Sequence, residues 1–250
     1  MKVTIITVVF NGAATIRDSI ESVLSQTYPN IEYIVIDGKS TDNTADLVRS
    51  YGSRITRFVS EPDKGLYDAM NKGLRLATGD IVGFINSDDF YKHNQVVEKV
   101  VRLFETTDCD AVYGDEIYVN PTNTDKIDRY WKVGEYKEGA FLWGWMPPHL
   151  TCFIKRSVYE KLGGYTLELK SSSDYELLLR FIHKHKIKLS YLPEVTVAMR
   201  SGGVSNATLK HRWRANREDR QAWRINGLRP YFFTLLLKPL RKLDQLLPKF

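Results

Sequence analysis

The sequence predicts an α/β fold in which a mostly parallel sheet is flanked by helices, and two observations support this. Short apolar runs rich in β-branched residues alternate with amphipathic segments over residues 1–119, with short connections between them. Of the 250 residues, 43% are hydrophobic and 26% are charged, which is ordinary for a globular protein. A chain of this length is expected to bury a core without disulfides or structural metals.

Each element of the first half follows from its own pattern. Residues 3–10 form a continuous apolar run that ends at an Asn-Gly pair, which is typical of a buried strand and not of a cleaved signal segment. In residues 13–26 the apolar side chains recur at helical spacing. The same reasoning predicts strands at 31–36, 55–59, 81–85 and 111–119, and helices at 44–51, 66–77 and 94–104.

The pattern changes after about residue 120. Residues 120–148 are rich in Trp, Tyr, Gly and Pro and have no clear period. Beyond them we predict a strand at 149–155, a helix at 174–185 and an extended segment at 187–199 that is broken at Pro193. No repeat or low-complexity segment separates the halves, so the second is predicted to complete the site of the first.

The charge of the chain is concentrated at its C-terminus. Residues 210–250 contain 11 Lys and Arg against 3 Asp and Glu, whereas the remaining residues contain 25 against 27. Basic segments of this kind are typical of contacts with anionic partners. Cys109 and Cys152 form no metal-binding or redox motif, which favours a reducing compartment.

Polar side chains follow four successive predicted strands. Asn11 follows the first, Asp37 the second, residues 61–63 the third and residues 86–89 the fourth. Ligands of parallel α/β sheets bind beyond the carboxyl ends of the strands, so these side chains are expected to share one rim. The glycine-rich motifs of dinucleotide-binding and P-loop proteins are absent from the sequence.

Two adjacent carboxylates, Asp88 and Asp89, follow a buried strand. Both ionise readily only if a cation or hydrogen-bond donors lie beside them. Hard oxygen ligands at such a position suit Mg²⁺ or Mn²⁺ bridging to a phosphate. The alternative is a capped turn into the next helix, and the spacing favours the metal.

These motifs, taken together, resemble family 2 glycosyltransferases, whose GT-A fold is a Rossmann-like sheet flanked by helices. The similar segments are residues 3–11 (VTIITVVFN), 36–44 (IDGKSTDNT), 61–73 (EPDKGLYDAMNKG) and 86–89 (NSDD). Lys39 stands where glycine is commoner in the family. The resemblance is close over residues 1–115 and looser over 145–205. It implies a nucleotide-sugar-binding half at 1–115, an acceptor half at 116–205 and an added extension at 206–250.

The resemblance implies roles for the residues on the rim. Asp37 would accept a hydrogen bond from the nucleotide base, Asp63 would lie near the base or ribose, and Asp88 near the ribose and diphosphate. Asp89 would bind Mg²⁺ or Mn²⁺. The remaining nucleotide-sugar contacts implied by the matching motifs are Val9, Asn11, Lys64, Asp68, Asn71 and Arg200, the last of which precedes a Gly-Gly loop that could close over the diphosphate.

The second half is expected to supply a general base for the acceptor hydroxyl. Residues 172–180 (SSDYELLLR) resemble the family segment that carries it, which assigns the base to Asp174, with Glu176 as the alternative. Asp174 could also cap the following helix. His149 stands where relatives often have an acceptor-site histidine, although a single histidine is commonly structural.

The resemblance implies an inverting, metal-dependent transfer of a sugar from a nucleotide-sugar, with UDP favoured, to a glycan or lipid-linked oligosaccharide acceptor. Two alternatives remain. A sugar-phosphate nucleotidylyltransferase would show a Gly-rich, basic motif after the first strand, and residues 11–15 lack it. A nucleic-acid-binding module is suggested by residues 210–229, but the acidic rim and the charge of the body disfavour nucleic acid as a partner.

The C-terminal extension is predicted to hold the protein on an anionic membrane. Five leucines recur at helical spacing from residue 236 onwards, and Pro239 is expected to kink or restart that helix; the leucines are Leu236, Leu237, Leu240, Leu243 and Leu247. The segment is too short and charged to span a bilayer, so it would lie in the interface. The expected location is the cytoplasm, at the inner face of the membrane. The alternative is that the leucines pack on the protein body or on a second subunit.

Overall fold

The computed structural model describes residues 1–202 and 209–241, and nine strands within them form one sheet. The strands are β1 (Val3–Val9), β2 (Ile31–Asp37), β3 (Arg57–Ser60), β4 (Ile81–Asn86), β5 (Phe90–Tyr91), β6 (Ala111–Val119), β7 (Ile127–Trp131), β8 (Phe153–Lys155) and β9 (Leu189–Arg200). The α-helices are α1 (Ile16–Leu24), α2 (Thr44–Arg49), α3 (Leu66–Leu76), α4 (Val96–Thr106), α5 (Arg156–Leu162), α6 (Ser173–Leu178), α7 (Leu209–Ile225) and α8 (Thr234–Leu240). The 3₁₀ turns are Gly52–Arg54, Ala140–Trp143 and His149–Thr151, and a π-helical segment, Leu179–Lys184, continues α6.

The strand order confirms the predicted, mostly parallel sheet. It runs β3-β2-β1-β4-β8-β6-β9-β5, with β7 paired to β6. Strands β1 to β4 are mutually parallel. Strand β8 is antiparallel to both β4 and β6, and β9 is parallel to β6, so β6 and β9 run in the same direction as the first four strands. All seven residues of β1 are buried, as the apolar run predicted.

Helices cover both faces of the sheet, because successive side chains of a strand point to opposite faces. On one face the hydroxyls of Thr7 and Tyr33 lie 3.0 Å apart, beside Ser19 of α1. On the other face α3 packs so closely that a Cβ on Gly73 would lie 2.5 Å from Cγ2 of Ile6. The sheet is therefore buried on both sides, and the space for a ligand lies at its edges.

Several predicted boundaries were wrong for local reasons. The helix predicted from residue 13 begins at Ile16, because the preceding residues form a turn. The strand predicted at 149–155 starts with a 3₁₀ turn, and the helix predicted at 174–185 becomes π-helical after Leu178. Strand β9 is continuous through Pro193, because its register against β6 shifts there and the proline lies in the bulge. Strands β5 and β7 and helix α5 were not predicted.

The C-terminal extension packs on the second half of the sheet domain. Trp223 of α7 is buried, and its indole N–H donates to the Tyr175 hydroxyl of α6 at 2.8 Å. Helix α8 ends one residue after Pro239. Leu236 and Leu240 are exposed. In the part of the chain that the structure describes, no helix is long and apolar enough to cross a membrane.

The predicted leucine stripe therefore does not form a single face. Leu235, which lies outside the stripe, is the leucine of α8 that packs into the core, and Leu237 is half-buried. The remaining stripe residues, Leu243 and Leu247, lie outside the described residues, as do residues 203–208, which include part of the Gly-Gly loop predicted after Arg200.

Candidate active site

The loops after β1 and β2 are joined by hydrogen bonds. Asn11 adopts a left-handed conformation with φ 51°, and its Oδ1 accepts from the Thr41 N–H at 2.8 Å. The Gly12 N–H donates to the Thr44 hydroxyl at 2.9 Å. Asp42 accepts from Thr44 and from the backbone of the first loop, and the Thr44 hydroxyl lowers the pKa of its carboxyl. The two loops therefore form one rigid rim.

Asp37 is completely buried at the carboxyl end of β2. Its carboxylate accepts from the Ser40 N–H at 3.1 Å, from the Ser40 hydroxyl and from the Ser60 hydroxyl at 2.6 Å. Lys39 has φ 63°, which is the left-handed conformation that favours glycine and explains why glycine is commoner there. A nucleotide base that contacts Asp37 would share a carboxylate that already holds this turn.

The loop before α3 is closed by its own side chains. Asp63 Oδ1 accepts from the Gly65 N–H at 2.8 Å, and Asp68 Oδ2 accepts from the Lys64 N–H at 3.0 Å. The loop also lies against the β2 turn, where a Cβ on Gly38 would approach Asp63 Oδ2 to 2.4 Å. Asp63 and Lys64 are thereby brought to the same rim as Asp37.

Two other residues of the predicted nucleotide-sugar site contact protein instead of open space. The Asn71 side chain donates to the Tyr165 carbonyl at 2.8 Å and accepts from the Tyr165 N–H at 2.9 Å, which ties α3 to the second half of the chain. Val9 is buried at the end of β1. In this structure Asn71 and Val9 therefore pack against protein and support the residues of the rim.

The turn after β4 separates its two carboxylates. Asp89 is completely buried, and its oxygens accept from the Arg200 N–H at 3.0 Å and from the Asn86 side chain at 3.1 Å. Burial, and then the neighbouring charge of Asp88, raise the pKa of Asp89 well above its usual range, although the bonds from Arg200 and Asn86 oppose this. Asp88 is only half-buried. The geometry therefore makes Asp88 the accessible carboxylate of the pair.

The donor set of this turn fits a hard divalent cation. Asn86 Oδ1 is a buried acceptor with no hydrogen-bond partner among the described residues, and it stands two positions before the Asp88 carboxylate. Amide and carboxylate oxygens are the ligands that Mg²⁺ and Mn²⁺ prefer, with a substrate phosphate completing the shell. Residues 1–202 and 209–241 bring no three His, Cys, Asp or Glu side chains together as a complete metal site.

Arg200 lies beneath this turn and contacts protein on several sides. It is 8% exposed, its guanidinium donates to the Asp88 carbonyl at 2.6 Å, and it forms an ion pair with Asp18 of α1. Its guanidinium also lies 5.3 Å from the centre of the Phe90 ring. These contacts join β9, α1 and the acidic turn, so Arg200 holds the turn in place in this structure.

The predicted base lies at the end of a hydrogen-bonded aromatic cluster. Asp174, in the first turn of α6, is half-buried, and its Oδ1 accepts from the Tyr67 hydroxyl at 3.0 Å. The Tyr67 ring stacks on Tyr165 at 5.7 Å, and the Tyr165 hydroxyl lies 2.6 Å from Nε2 of His149. The residue at the N-cap of α6 is Ser172, so Asp174 is not the cap.

The cluster also has consequences for protonation. Desolvation lowers the pKa of His149, while the nearby Asp174 charge acts in the opposite direction, and the ring is therefore held neutral. Burial, followed by the Asp174 charge, raises the pKa of Tyr67 well above its usual range. Tyr67 therefore stays a neutral donor to the Asp174 carboxylate.

Glu176, the alternative base, is 1% exposed and fully engaged. It forms a bidentate pair with Arg180, with distances of 2.9 and 3.1 Å, and accepts from Asn226 of α7 at 3.0 Å. Arg180 also donates to the carbonyl of Gly164 at 2.6 Å. These contacts make Glu176 part of the packing between α6 and α7, and Asp174 is the carboxylate of this helix that a substrate can reach.

Sequence reasoning missed the residues that connect distant segments. Tyr67 lies inside the motif 61–73, but its partner Asp174 is 107 residues away. Asp18, which pairs with Arg200, and Asn226, which bonds to Glu176, had no signal of their own. A pattern of spacing reveals neighbours along the chain and not across the fold.

The mostly parallel sheet, with acidic loops at the carboxyl ends of its strands, is that of the GT-A class of glycosyltransferases. A model of the glycosyl transferase family 2 matches residues 4–163, and the chain belongs to that family. It is 28% identical over 208 residues to a PGL/p-HBAD biosynthesis glycosyltransferase of Mycobacterium bovis, covering 81% of this chain and 78% of the relative. It is 32% identical over 181 residues to an uncharacterized glycosyltransferase of Mycobacterium tuberculosis, covering 71% and 68%.

Solved structures share the fold at low sequence identity. S. aureus TarS 1-349 in complex with UDP-GlcNAc superimposes with a TM-score of 0.70 at 17% identity; the match covers 91% of this chain and 66% of that one. The mannosyltransferase PcManGT from Pyrobaculum calidifontis, in complex with GDP-Man and Mn²⁺, gives a TM-score of 0.67 at 22% identity, covering 94% and 68%. The predicted GT-A fold and family are confirmed.

Proposed function

We propose that this glycosyltransferase moves a sugar from a nucleotide-sugar to an acceptor hydroxyl with inversion, using Asp174 as general base. The observation that carries the proposal is the 3.0 Å hydrogen bond from Tyr67 to Asp174. Tyr67 lies just after the loop that contains Asp63 and Lys64, so the half-exposed carboxylate is held beside the proposed donor loops. A base positioned against the donor site is what a single-displacement transfer requires.

The proposed reaction is a single displacement at the anomeric carbon of the donor sugar. The acceptor oxygen attacks the anomeric carbon, its proton passes to the Asp174 carboxylate, and the bond from the anomeric carbon to the diphosphate oxygen breaks. Neutral His149, which is half-buried, lies in the same cluster and can orient the acceptor, while the buried Tyr165 hydroxyl holds the imidazole in place. Asp63, Lys64 and the rim around Asp37 would bind the nucleotide.

Mg²⁺ or Mn²⁺ is proposed as the cofactor, held by Asp88 with Asn86 beside it. A bound divalent cation would offset the charge of the leaving diphosphate. The sequence assigned this role to Asp89, but its carboxylate is buried and already accepts from Arg200 and Asn86, so its structural contacts favour a supporting role. Asp88, which is accessible, takes the ligand position in our proposal.

The metal assignment is tested by two matched variants. We expect Asp88→Asn to remove Mn²⁺-stimulated turnover with little change in melting temperature. Asp89→Asn should mainly lower stability, by about 1–3 kcal/mol, because an amide nitrogen replaces one of the two oxygens that accept from the Arg200 N–H and the Asn86 side chain, which leaves one buried donor unpaired. Full metal stimulation in Asp88→Asn, together with its loss in a folded Asp89→Asn, would return the ligand to Asp89.

The donor is proposed to be a UDP-sugar. The rim around Asp37 is proposed to bind the base, and the S. aureus neighbour was solved with UDP-GlcNAc, whereas the archaeal neighbour holds GDP-Man. The test is a panel of UDP-glucose, UDP-galactose, UDP-GlcNAc and GDP-mannose with Mg²⁺ or Mn²⁺, measuring release of the nucleoside diphosphate. Asp174→Asn serves as the control. Turnover restricted to GDP-mannose would overturn the UDP assignment.

The acceptor is proposed to be a glycan or a lipid-linked oligosaccharide. The relative from Mycobacterium bovis is named for PGL/p-HBAD biosynthesis, and the basic C-terminal extension suits an acceptor that is confined to an anionic membrane surface. The proposed site of action is therefore the cytoplasmic face of the cell membrane. Radiolabelled transfer to extracted lipid, compared with transfer to water-soluble glycans, tests this choice.

A further inference from the structure

An exposed apolar surface joins the acceptor half to the C-terminal extension. It consists of Trp143, Tyr231, Phe232, Leu236 and Leu240, here called the aromatic patch, and all five side chains are at least half exposed. Phe232 is 89% exposed. Large apolar side chains that are exposed close together mark an interaction site on a folded protein.

The aromatic patch is held firmly against the body of the protein. Phe233 lies at its centre, with its ring 5.3 Å from Trp143 and 5.1 Å from Phe232. The Thr234 hydroxyl donates to the Leu142 carbonyl at 2.7 Å, and Leu235 is buried in the core. The exposed side chains therefore project from a fixed support.

The same support reaches the helix of the proposed base. Lys238 forms an ion pair with Asp219 at 2.7 Å, and its ammonium lies 3.8 Å from the centre of the Tyr175 ring. Tyr175 follows Asp174 in α6. Helix α8, which carries part of the aromatic patch, is therefore in direct contact with the helix that carries the proposed base.

The exposed charge of the extension is entirely basic among the side chains that the structure describes. Glu218 and Asp219 are buried, where they accept from the Ser171 N–H and pair with Lys238. The exposed charged side chains are Arg214, Arg217, Arg220, Arg224, Arg229 and Arg241. Arg241 donates to the Trp143 carbonyl at 3.5 Å, at the border of the aromatic patch.

We propose that the aromatic patch inserts into the interfacial layer of an anionic bilayer while the surrounding arginines bind lipid headgroups. Aromatic rings are favoured at the membrane interface, and each arginine near an anionic surface adds to the attraction. Nucleic acid would satisfy the arginines but would leave the aliphatic side chains Leu236 and Leu240 without a partner. This inference rests on the membrane location in the proposed function and names the surface that would bind the membrane.

The test is co-sedimentation of the full chain with vesicles of phosphatidylcholine alone or mixed with phosphatidylglycerol. We expect binding to the anionic vesicles, about tenfold weaker in Phe232→Ser and in Trp143→Ser. Arg241→Gln should weaken it about fivefold, and high salt should weaken wild-type binding. Leu167→Ser is the control, because Leu167 is an apolar residue outside the patch that is 51% exposed, comparable with Trp143 at 57%.

The outcomes are distinct. Equal binding by Phe232→Ser and Leu167→Ser, or no preference for anionic lipid, would overturn the proposal. A wild-type dimer that Phe232→Ser converts to a monomer, without vesicle binding, would assign the aromatic patch to self-association. Binding to DNA or RNA without vesicle binding would assign the arginines to nucleic acid. No nucleotide-sugar is present in this assay, so its failure would leave the proposed transfer reaction unaffected.

Discussion

The turns after β2 and before α3, which we propose to bind the donor, and helix α6, which we propose to face the acceptor, are held by contacts of different range. After β2 and before α3, carboxylates accept from backbone N–H groups two to four residues away, as Asp63 does from Gly65 and Asp68 from Lys64. On the acceptor side, Asp174 is held from 107 residues away and Glu176 from 50 residues away. Local contacts leave a readable motif in the sequence, whereas distant contacts do not.

We expect the largest loss of stability from a substitution at Glu176. Glu176→Gln leaves the 15%-exposed Arg180 guanidinium without its charge partner, which costs about 3 kcal/mol of unfolding free energy. Urea unfolding measures the change. Arg49→Gln, which breaks an exposed pair with Asp46, is the control and should cost less than about 0.5 kcal/mol. Wild-type stability in Glu176→Gln would mean that the buried pair of Glu176 with Arg180 does not stabilise α6.

Asp174 lies two residues before Glu176 on the same helix, but we expect Asp174→Asn to affect the reaction and not the folding. We expect transfer to slow at least ~100-fold, because the proton acceptor is lost while the shape of the side chain is kept. Nucleotide affinity, measured by calorimetry, should not change. Wild-type turnover in Asp174→Asn would rule out Asp174 as the general base.

In the proposed donor half, the side chains that stabilise the fold and those that bind the substrate are expected to lie at opposite ends of the strands. Glu32, at the amino end of β2, is 6% exposed and accepts from Lys2, Thr4 and Thr78. Desolvation raises its pKa, but these hydrogen bonds outweigh it and lower the pKa to about 2. Because the folded-state pKa is depressed, the stabilisation is complete above pH 4.5 and is lost as the pH falls towards 2.

Glu32→Gln is the variant that tests this separation. It should cost about 2 kcal/mol at neutral pH, with the difference from wild type shrinking below pH 4.5, and it should leave turnover unchanged. Urea titrations at several pH values measure the effect. A difference that does not depend on pH would show that the Glu32 charge contributes nothing to stability.

The smallest effect is expected for the hydroxyl that links the two halves. Tyr67→Phe should slow transfer about tenfold with the donor KM unchanged, because one hydrogen bond to the Asp174 carboxylate is lost. In the double variant with Asp174→Asn, Tyr67→Phe should cost nothing further. Tyr91→Phe is the matched control, since the Tyr91 hydroxyl is buried without a partner among the described residues. Additive losses in the double variant would mean that Tyr67 does not act through Asp174.

The sequence by itself determined the α/β class, the strands β1 to β4 and the family, because apolar periodicity and motifs at strand ends are local properties of the chain. It also placed Asn11, Asp37, Asp63 and Asp88 on one rim, since parallel strands bring their carboxyl ends together. Only the tertiary structure shows which member of a pair of neighbouring carboxylates is buried. Asp88 and Asp89, like Asp174 and Glu176, are near neighbours in sequence with the same chemistry, and burial by distant Arg200 and Asn226 distinguishes them. Solvent access depends on what packs against a side chain, and that is set by the whole fold.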